Sequence, residues 1–453
     1  MRASAKPRPP LPDGPYAVVG LARSGQAAAE LLARRGEQVI GADAGSPEGA
    51  QRLSEVGVEV ILDADGVDAI SRARSVVKSP GVPAEAPAIV AARERGLAVI
   101  GELELAWRLL PNRFCAVTGT NGKTTVAELL GHVWRTAGEP VAVAGNVGTP
   151  LASLVDAVAA EATIVCEASS FQLEDSEAFA PECGVLLNVA PDHLDRHGTL
   201  EAYRDAKLNV FRNQEAEDFC VYNASDPALR GVELGGRGRR VAFCSEPGAA
   251  CDAALTEDAL ELSGEPLLAR NELSLIGPHN GANAAGAAAA AATMGIERGP
   301  IAEALRSFPG VPHRLERVAE IDGVLYVNDS KATNVAAGAA ALRSFEGGVR
   351  AILGGSLKGG GFGELAAPVA DGCLACYLIG PAAEPLERDL ATAWLAGVEP
   401  RRCADLAEAV RAAAADAGPG EVVLLSPACA SFDAFRDFEE RGERFRELVR
   451  GLR

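Results

Sequence analysis

Phe114-Cys-Ala-Val-Thr118-Gly119-Thr120-Asn121-Gly122-Lys123-Thr124-Thr125 opens on an apolar run and closes on a lysine and two threonines. Residues 114–117 predict a strand, residues 118–125 a loop, and the segment after it a helix running through Arg135. In this order the three make a cradle for a polyphosphate. Backbone N–H groups and the helix N-terminus face the phosphates, the Lys123 ammonium reaches the β/γ oxygens, and the Thr124 hydroxyl suits Mg²⁺. The usual pattern has a glycine five residues before the second glycine, where Val117 stands here, so the loop is a variant. A tight structural turn is the competing reading, and the Lys-Thr pair between strand and helix argues against it. Kinase, GTPase and ligase all use such loops. No Asn-Lys-x-Asp guanine reader follows, which disfavours a GTPase switch.

Working outward, strands are expected at residues 16–20, 37–42 (ending at Asp43) and 75–78, with a helix at 24–35 closed by Gly36 and a turn at Ser79-Pro80-Gly81. That alternation is βαβ logic and implies a parallel sheet with helices on its faces. Beyond the loop, strands are expected at 141–144, 163–166, 184–188 and 219–223, a small antiparallel extension within 235–275, and a helix at 280–294. The alternation restarts with strands at 324–327, 350–353, 374–379 and 422–425, and Ser426–Ser431 is read as opening a long charged final helix. The fold class is therefore α/β in three domains, each a mainly parallel sheet with flanking helices. They are a Rossmann-like domain over 1–107, a P-loop domain over 108–311 and a second Rossmann-like domain over 312–453.

Composition narrows the function classes. With 62 Asp and Glu against 43 Lys and Arg, the net charge of −19 argues against a nucleic-acid partner. Anionic ligands must then be held by local devices. The start is basic and Pro-rich without an apolar signal core. The apolar run 284–294 is made of alanine and falls short of the ~20 residues a bilayer needs. A soluble cytoplasmic monomer without membrane insertion is expected. The ten cysteines are read as free thiols. Cys373 and Cys376, with Cys403 as nearest third thiol, read better as buried small residues than as a metal or redox site.

Further segments fall in an order that resembles the Mur ligase superfamily, which also contains folylpolyglutamate synthetase. Gly145-Asn146-Val147-Gly148 is similar to that family's substrate-facing loop, and Glu167-Ala-Ser-Ser-Phe171-Gln172-Leu-Glu174 to the strand end supplying a metal-binding glutamate. Asn188-Val-Ala-Pro-Asp192-His193-Leu-Asp195-Arg196-His197 resembles the next strand end, and Ala206-Lys207 the position of a carbamylated lysine. His279-Asn280-x-x-Asn283 and Pro312-His313-Arg314 are similar to its nucleotide contacts, and the likeness runs from Gly20 to Leu448. Asn328-Asp329-Ser330-Lys331-Ala-Thr333-Asn334 and Ser426-Pro-Ala-Cys-Ala-Ser431-Phe-Asp433 resemble the branch that adds D-glutamate to UDP-N-acetylmuramoyl-L-alanine.

The resemblance implies an ATP-dependent amide ligase of peptidoglycan precursor synthesis. Phosphoryl transfer to a carboxylate would make an acyl phosphate, from which an amine displaces phosphate. The protein's share is positioning and charge neutralisation. Implied ATP contacts are Gly119, Thr120, Asn121, Gly122, Lys123, Thr124, Thr125 and Asn283, with Arg314 and Asp329 beyond the second boundary, so the nucleotide would bridge two domains. Lys123, Glu167, His193 and Lys207 are the implied catalytic set, and two Mg²⁺ ions would be held by Thr124, Glu167, His193 and a carbamylated Lys207. Without the resemblance, Lys207 reads as an exposed helix lysine, and His193, Asp195 and His197 could be a zinc set lacking a separate ligand. His197 is otherwise expected at a surface helix position. Implied UDP-substrate contacts are Gly20, Arg23, Ser24, Asp43, Ser79, Gly81 and Asn146. Ala22 replaces the middle glycine of the dinucleotide fingerprint, and Ala44-Gly45 departs from the Thr-Arg of the best-known relatives. Lys331, Thr333, Lys358, Ser431 and Phe438 are the implied D-glutamate pocket, with Ser431 lending a helix N-terminus to a carboxylate. Folylpolyglutamate synthetase and a P-loop kinase are the alternatives.

Overall fold

The computed structural model describes residues 6–245, 251–275, 277–357 and 361–452. Lys358 lies outside the described residues. Three sheets organise the chain, and each grows from short apolar strands punctuated by glycine and proline.

The first sheet holds β1 (Tyr16–Val19), β2 (Val39–Ala42), β3 (Glu59–Ile61), β4 (Ser75–Lys78) and β5 (Ala98–Gly101) in the order β3-β2-β1-β4-β5, all parallel. The strand order reverses between β1 and β4, which places the loops after Val19 and Lys78 side by side at a topological switch point.

The second sheet contains β6 (Phe114–Thr118), β7 (Val141–Gly145), β8 (Thr163–Glu167), β9 (Cys183–Leu186), β10 (Phe219–Asn223), β11 (Arg239–Cys244), β12 (Ala253–Leu255), β13 (Ala259–Leu262) and β14 (Glu265–Ala269). Its order is β14-β13-β12-β11-β10-β9-β6-β8-β7. The expected antiparallel extension is the part from β12 to β14, whereas β11 joins β10 in parallel. Strand β9 stops at Leu186, short of the expected Asn188, because Leu187 N–H bonds Thr118 O and Asn188 O receives Thr120 N–H. Leu187 still bonds the last residue of β6, whereas Asn188 serves the phosphate loop instead of the ladder.

The first two sheets share one continuous apolar core that includes Tyr16, Val18, Leu103, Trp107, Phe114 and Phe179. The expected boundary residue Trp107 lies inside helix Glu102–Leu109, and its ring meets Phe179 edge-on at 5.8 Å. Each such aromatic contributes roughly 1.5–3 kcal/mol on burial, so this seam behaves as interior. The Pro-rich start straps it. Arg8 lies 4.2 Å over Trp107 and donates to Asn112 O, and Lys6 pairs with Asp218 at 2.6 Å. Residues Met1–Leu273 with Ala282–Arg306 accordingly form one compact unit, and Ser274–Gly281 with Ser307–Arg453 form another.

The second unit carries β15 (Glu316–Ile321), β16 (Val324–Asn328), β17 (Val349–Gly354), β18 (Cys373–Ile379), β19 (Glu399–Arg402) and β20 (Val422–Leu425). The order is β15-β16-β20-β17-β18-β19, parallel except for β15. The last helix spans Phe438–Arg450 and is capped by Asp437, whose Oδ1 accepts from Glu440 N–H at 2.8 Å. It does not start at Ser431, whose carbonyl instead closes a turn by accepting from Ala434 and Phe435 N–H. The expectation of free thiols also fails once: Cys244 and Cys251 are joined in a disulfide with Cα atoms 6.1 Å apart. The other eight cysteines are buried and in no disulfide, Cys373 and Cys376 among them. Among the described residues, no helix is long and apolar enough to cross a membrane.

Candidate functional site

The phosphate loop leaves the C-terminal end of β6, between β8 and β9. Asn188 clamps it: its Oδ1 accepts from Asn121 N–H at 2.8 Å and its Nδ2 donates to Asn121 O at 3.0 Å. Thr120 Oγ1 adds a bond with Ala190 N–H at 2.9 Å. The following helix, Lys123–Thr136, begins earlier than expected, so Lys123, Thr124 and Thr125 form its first turn. Gly122 is its N-cap at φ 87°, and a Cβ there would collide with the side chain of Asn283. Only glycine lets Asn283 approach the loop so closely.

Lys123 Nζ donates to Gly119 O at 3.0 Å and Thr120 O at 2.9 Å. Lys207, in helix Leu200–Arg212, is buried and donates to the same Gly119 O at 2.8 Å, with Nζ 4.3 Å from the Tyr203 ring centre. It is therefore not the exposed helix lysine of the simplest reading. Burial, and then the Lys123 charge, lower Lys207 from 10.5 to about 7.

Glu167 ends β8 and is buried, and its Oε1 accepts from Asn146 Nδ2 at 3.0 Å. Gly145 makes this approach possible, because a Cβ there would strike the Glu167 backbone. The helix Ser170–Glu174 follows, opened by a capping box between Ser169 and Gln172. Its Phe171 ring gathers the next segment: His193 lies at 5.0 Å, and His197 stacks at 5.2 Å with the planes 2° apart. His197 also bonds Ser170 Oγ at 3.1 Å, so the half-buried ring packs against the site from its helical turn. His193 caps the turn Leu194–His197 with φ 52°. The side chain of Asp195 lies outside the described residues. Among the described residues, no three His, Cys, Asp or Glu side chains stand together as a metal cage, and the zinc set, which needs Asp195, falls partly outside them. The Glu167 carboxylate and Thr124 hydroxyl are hard oxygen donors of the kind Mg²⁺ takes.

In the N-terminal sheet, Gly20 turns at φ 87°, and a Cβ there would come within 2.8 Å of Ser79 Cβ. Ser79 N–H bonds Val19 O at 2.9 Å, so Gly20 and Ser79 are brought together. Asp43 directs both oxygens at this loop region, accepting from Leu21 N–H at 2.6 Å and Gly45 N–H at 2.8 Å. Arg23 and Ser24 begin helix Arg23–Arg34, Arg23 lines an open groove with Gln26 and Glu48, and Gly81 is exposed.

In the second unit, buried Asp329 accepts from Ser426 Oγ at 2.8 Å and from Leu315 N–H at 3.1 Å, fixing the turn after Arg314. Burial pushes its carboxyl up to about 7, against those hydrogen bonds and the nearby Arg314 charge. Lys331 Nζ lies 5.8 Å from the Phe438 ring, and Thr333 N–H bonds Lys331 O. Ser431 is buried but has no helix N-terminus to offer, so that part of its expected role falls. Arg441 went unnoticed in the sequence, whereas Asn188 and Arg196 stood in the segment 188–197 without a role of their own. The fully buried Arg441 guanidinium donates to Ser330 Oγ (2.9 Å), Ser330 O (2.8 Å), Cys429 O (3.1 Å) and Ala430 O (3.2 Å), tying segment 328–334 to segment 426–433. Burial lowers it to about 10.

Three family descriptions match in turn. They are Mur ligase MurD-like, N-terminal domain over residues 15–101, Mur ligase middle domain over 117–291 and Mur ligase, glutamate ligase domain over 313–429. Full-length relatives include the UDP-N-acetylmuramoylalanine–D-glutamate ligase of Pelotomaculum thermopropionicum, 42% identical over 96% of this chain and 97% of that protein. The enzyme of the same name from Rubrobacter xylanophilus is 44% identical over 96% and 98%. Among solved structures, the UDP-N-acetylmuramate-alanine ligase of Thermotoga maritima aligns with a TM-score of 0.60 at 20% identity, covering 97% of this chain and 100% of that one. The MurF ligase of Thermotoga maritima in complex with ADP gives 0.59 at 19% identity, covering 92% and 96%. At such identity the structures speak for the fold alone.

Proposed function

The chain belongs to the Mur ligase family, and from that premise we propose that it adds D-glutamate to UDP-N-acetylmuramoyl-L-alanine in peptidoglycan precursor synthesis. ATP activates the terminal alanyl carboxylate as an acyl phosphate, and the D-glutamate amine displaces phosphate. The observation that carries this chemistry is the convergence of Lys123 and Lys207 on one carbonyl of the phosphate loop, beside the strand end that presents Glu167. The choice of amino acid rests on full-length relatives named for D-glutamate.

In this reading residues 119–125 and Asn283 hold the phosphates, and Arg314 and Asp329 are further nucleotide contacts. Lys123 neutralises charge on the transferring phosphoryl group. Thr124, Glu167, His193 and Lys207 would hold Mg²⁺, which when bound neutralises phosphate charge and orients the carboxylate. A carbamate on Lys207 fits this donor set, since a buried amine near 7 exists in part as the neutral form that CO₂ can modify. Gly20, Arg23, Ser24, Asp43, Ser79, Gly81 and Asn146 receive the sugar nucleotide, with Asp43 ordering its loop. Lys331, Thr333, Ser431 and Phe438 receive D-glutamate, as would Lys358. We read the protein as a cytoplasmic monomer working on these small molecules.

Phosphate release measured with UDP-N-acetylmuramoyl-L-alanine, ATP and a panel of D- and L-amino acids tests the reading. Turnover should require D-glutamate. Preference for L-alanine or a diamino acid would overturn the specificity, and ADP formation without any amino acid would favour a kinase.

A further inference from the structure

Arg196 lies in the single-turn helix Leu194–His197 and has no part in the chemistry above. Its guanidinium makes two contacts at once. It sits 4.8 Å from the centre of the Phe171 ring, and its Nη2 donates to Val82 O at 2.8 Å. Val82 is itself part of the sugar-nucleotide cradle: a Cβ on Gly20 would come within 2.6 Å of Val82 Cγ2 as well as meeting Ser79. At the other end, Phe171 is the ring against which His193 and His197 pack. A helix this short is far below the ~12 residues at which an isolated helix becomes even marginal. Its placement must therefore come from tertiary contacts, and Arg196 supplies one that reaches into the first sheet's loops.

We propose that Arg196 is a positioning residue that couples the sugar-nucleotide loop at Ser79–Val82 to the placement of His193. Building on the reading above, it would link the two ends of one substrate, the uridine diphosphate and the carboxylate to be activated. Binding energy gained at the remote end is then expressed as alignment at the reacting end. Planarity matters here, because one face of the guanidinium stacks while an edge donates.

The test compares wild type with Arg196→Met, which keeps bulk and loses the donor, and with Arg196→Lys. For Arg196→Met, kcat/KM for UDP-N-acetylmuramoyl-L-alanine should fall about ten- to a hundredfold, the usual loss for one charge-assisted hydrogen bond. KM for ATP and for D-glutamate, and affinity for free UDP, should stay unchanged, and Arg196→Lys should fall in between. Phe171→Leu, which removes the stack and leaves the arginine, should produce the same selective defect. A parallel rise of every KM with a lower melting temperature would mark a merely structural residue and overturn the proposal, as would unaltered kinetics. Hydrogen exchange without ligand gives a readout independent of the assigned substrate. In Arg196→Met the amides of Ser79, Gly81 and Val82 and those of residues 193–198 should exchange faster together. Faster exchange at 193–198 alone would contradict the coupling, whereas a wild-type enzyme inert toward the UDP substrate would count against the functional reading only.

Discussion

Two ammonium groups, those of Lys123 and Lys207, share the carbonyl oxygen of Gly119, and the buried one yields, dropping from 10.5 to about 7. The sign follows from which form the folded state prefers. Between about 7 and 10.5 the folded protein has released the Lys207 proton while the unfolded chain still holds it, so this residue makes stability rise with pH through that window. The same shift has a chemical consequence. A neutral amine attacks CO₂, the N–C bond forms, a C–O π pair moves to oxygen and a proton leaves to solvent, which gives a carbamate. At fixed dissolved CO₂, the rate at which CO₂-depleted enzyme regains phosphate release should therefore increase as pH passes about 7 and then level off. Lys207→Ala should lose most activity and recover part of it with acetate, whose carboxylate can occupy the vacated place. Lys207→Arg should stay inactive with acetate present, since its side chain fills the space and remains cationic. Full activity in Lys207→Arg would remove the carbamate from the account.

The final helix, Phe438–Arg450, illustrates how elements decide what a residue can do. Arg441 is one of several arginines on a helix rich in Glu and Arg, yet it alone among them is fully buried, with hydrogen bonds to both segments 328–334 and 426–433. Arg441→Lys cannot reproduce that fork of donors. It should destabilise the protein by about 1–3 kcal/mol, the cost of stranding buried carbonyls, and raise KM for D-glutamate while leaving KM for ATP unchanged. Thermal melting and steady-state kinetics check this, and an unaltered KM for D-glutamate would separate Arg441 from the pocket. Nothing in the sequence marks this arginine, because its charge pattern matches a solvated helix face and only packing selects which position turns inward. The same limit misplaced the helix start. Ser431 and Asp437 are both good caps, and the choice between them was made by a turn closed on the Ser431 carbonyl. Strands were far more legible, since buried parallel strands such as β6, β10 and β20 are short apolar runs between breakers. The phosphate loop was legible for the same reason. Its Asn188 clamp and the Phe171 ring cluster were not, because both depend on side chains that meet only across strand ends.

Across the whole molecule, the first two sheets share a core and are pinned at a buried ion pair between Lys78 and Asp175. Lys78 immediately precedes Ser79 of the loop proposed to take the sugar nucleotide, and Asp175 closes the short helix that follows Glu167. Such a pair is costly to break once buried, so the sugar-nucleotide cradle and the phosphate loop sit on one continuous body. A net charge of −19 makes that arrangement useful: each anionic substrate must be met by fixed local cations and backbone N–H groups, not by the field of the protein as a whole. The central claim is that this chain activates a carboxylate through an acyl phosphate, and isotope transfer tests it most directly. UDP-N-acetylmuramoyl-L-alanine carrying oxygen-18 in both oxygens of the terminal carboxylate would be turned over with ATP and D-glutamate, and the released phosphate analysed by mass. One carboxylate oxygen becomes the P–O–C bridge and departs with phosphorus when the amine attacks carbon, so each phosphate should carry a single oxygen-18 and the new amide should keep the other. Unlabelled phosphate, with both heavy oxygens retained on the substrate, would contradict the account.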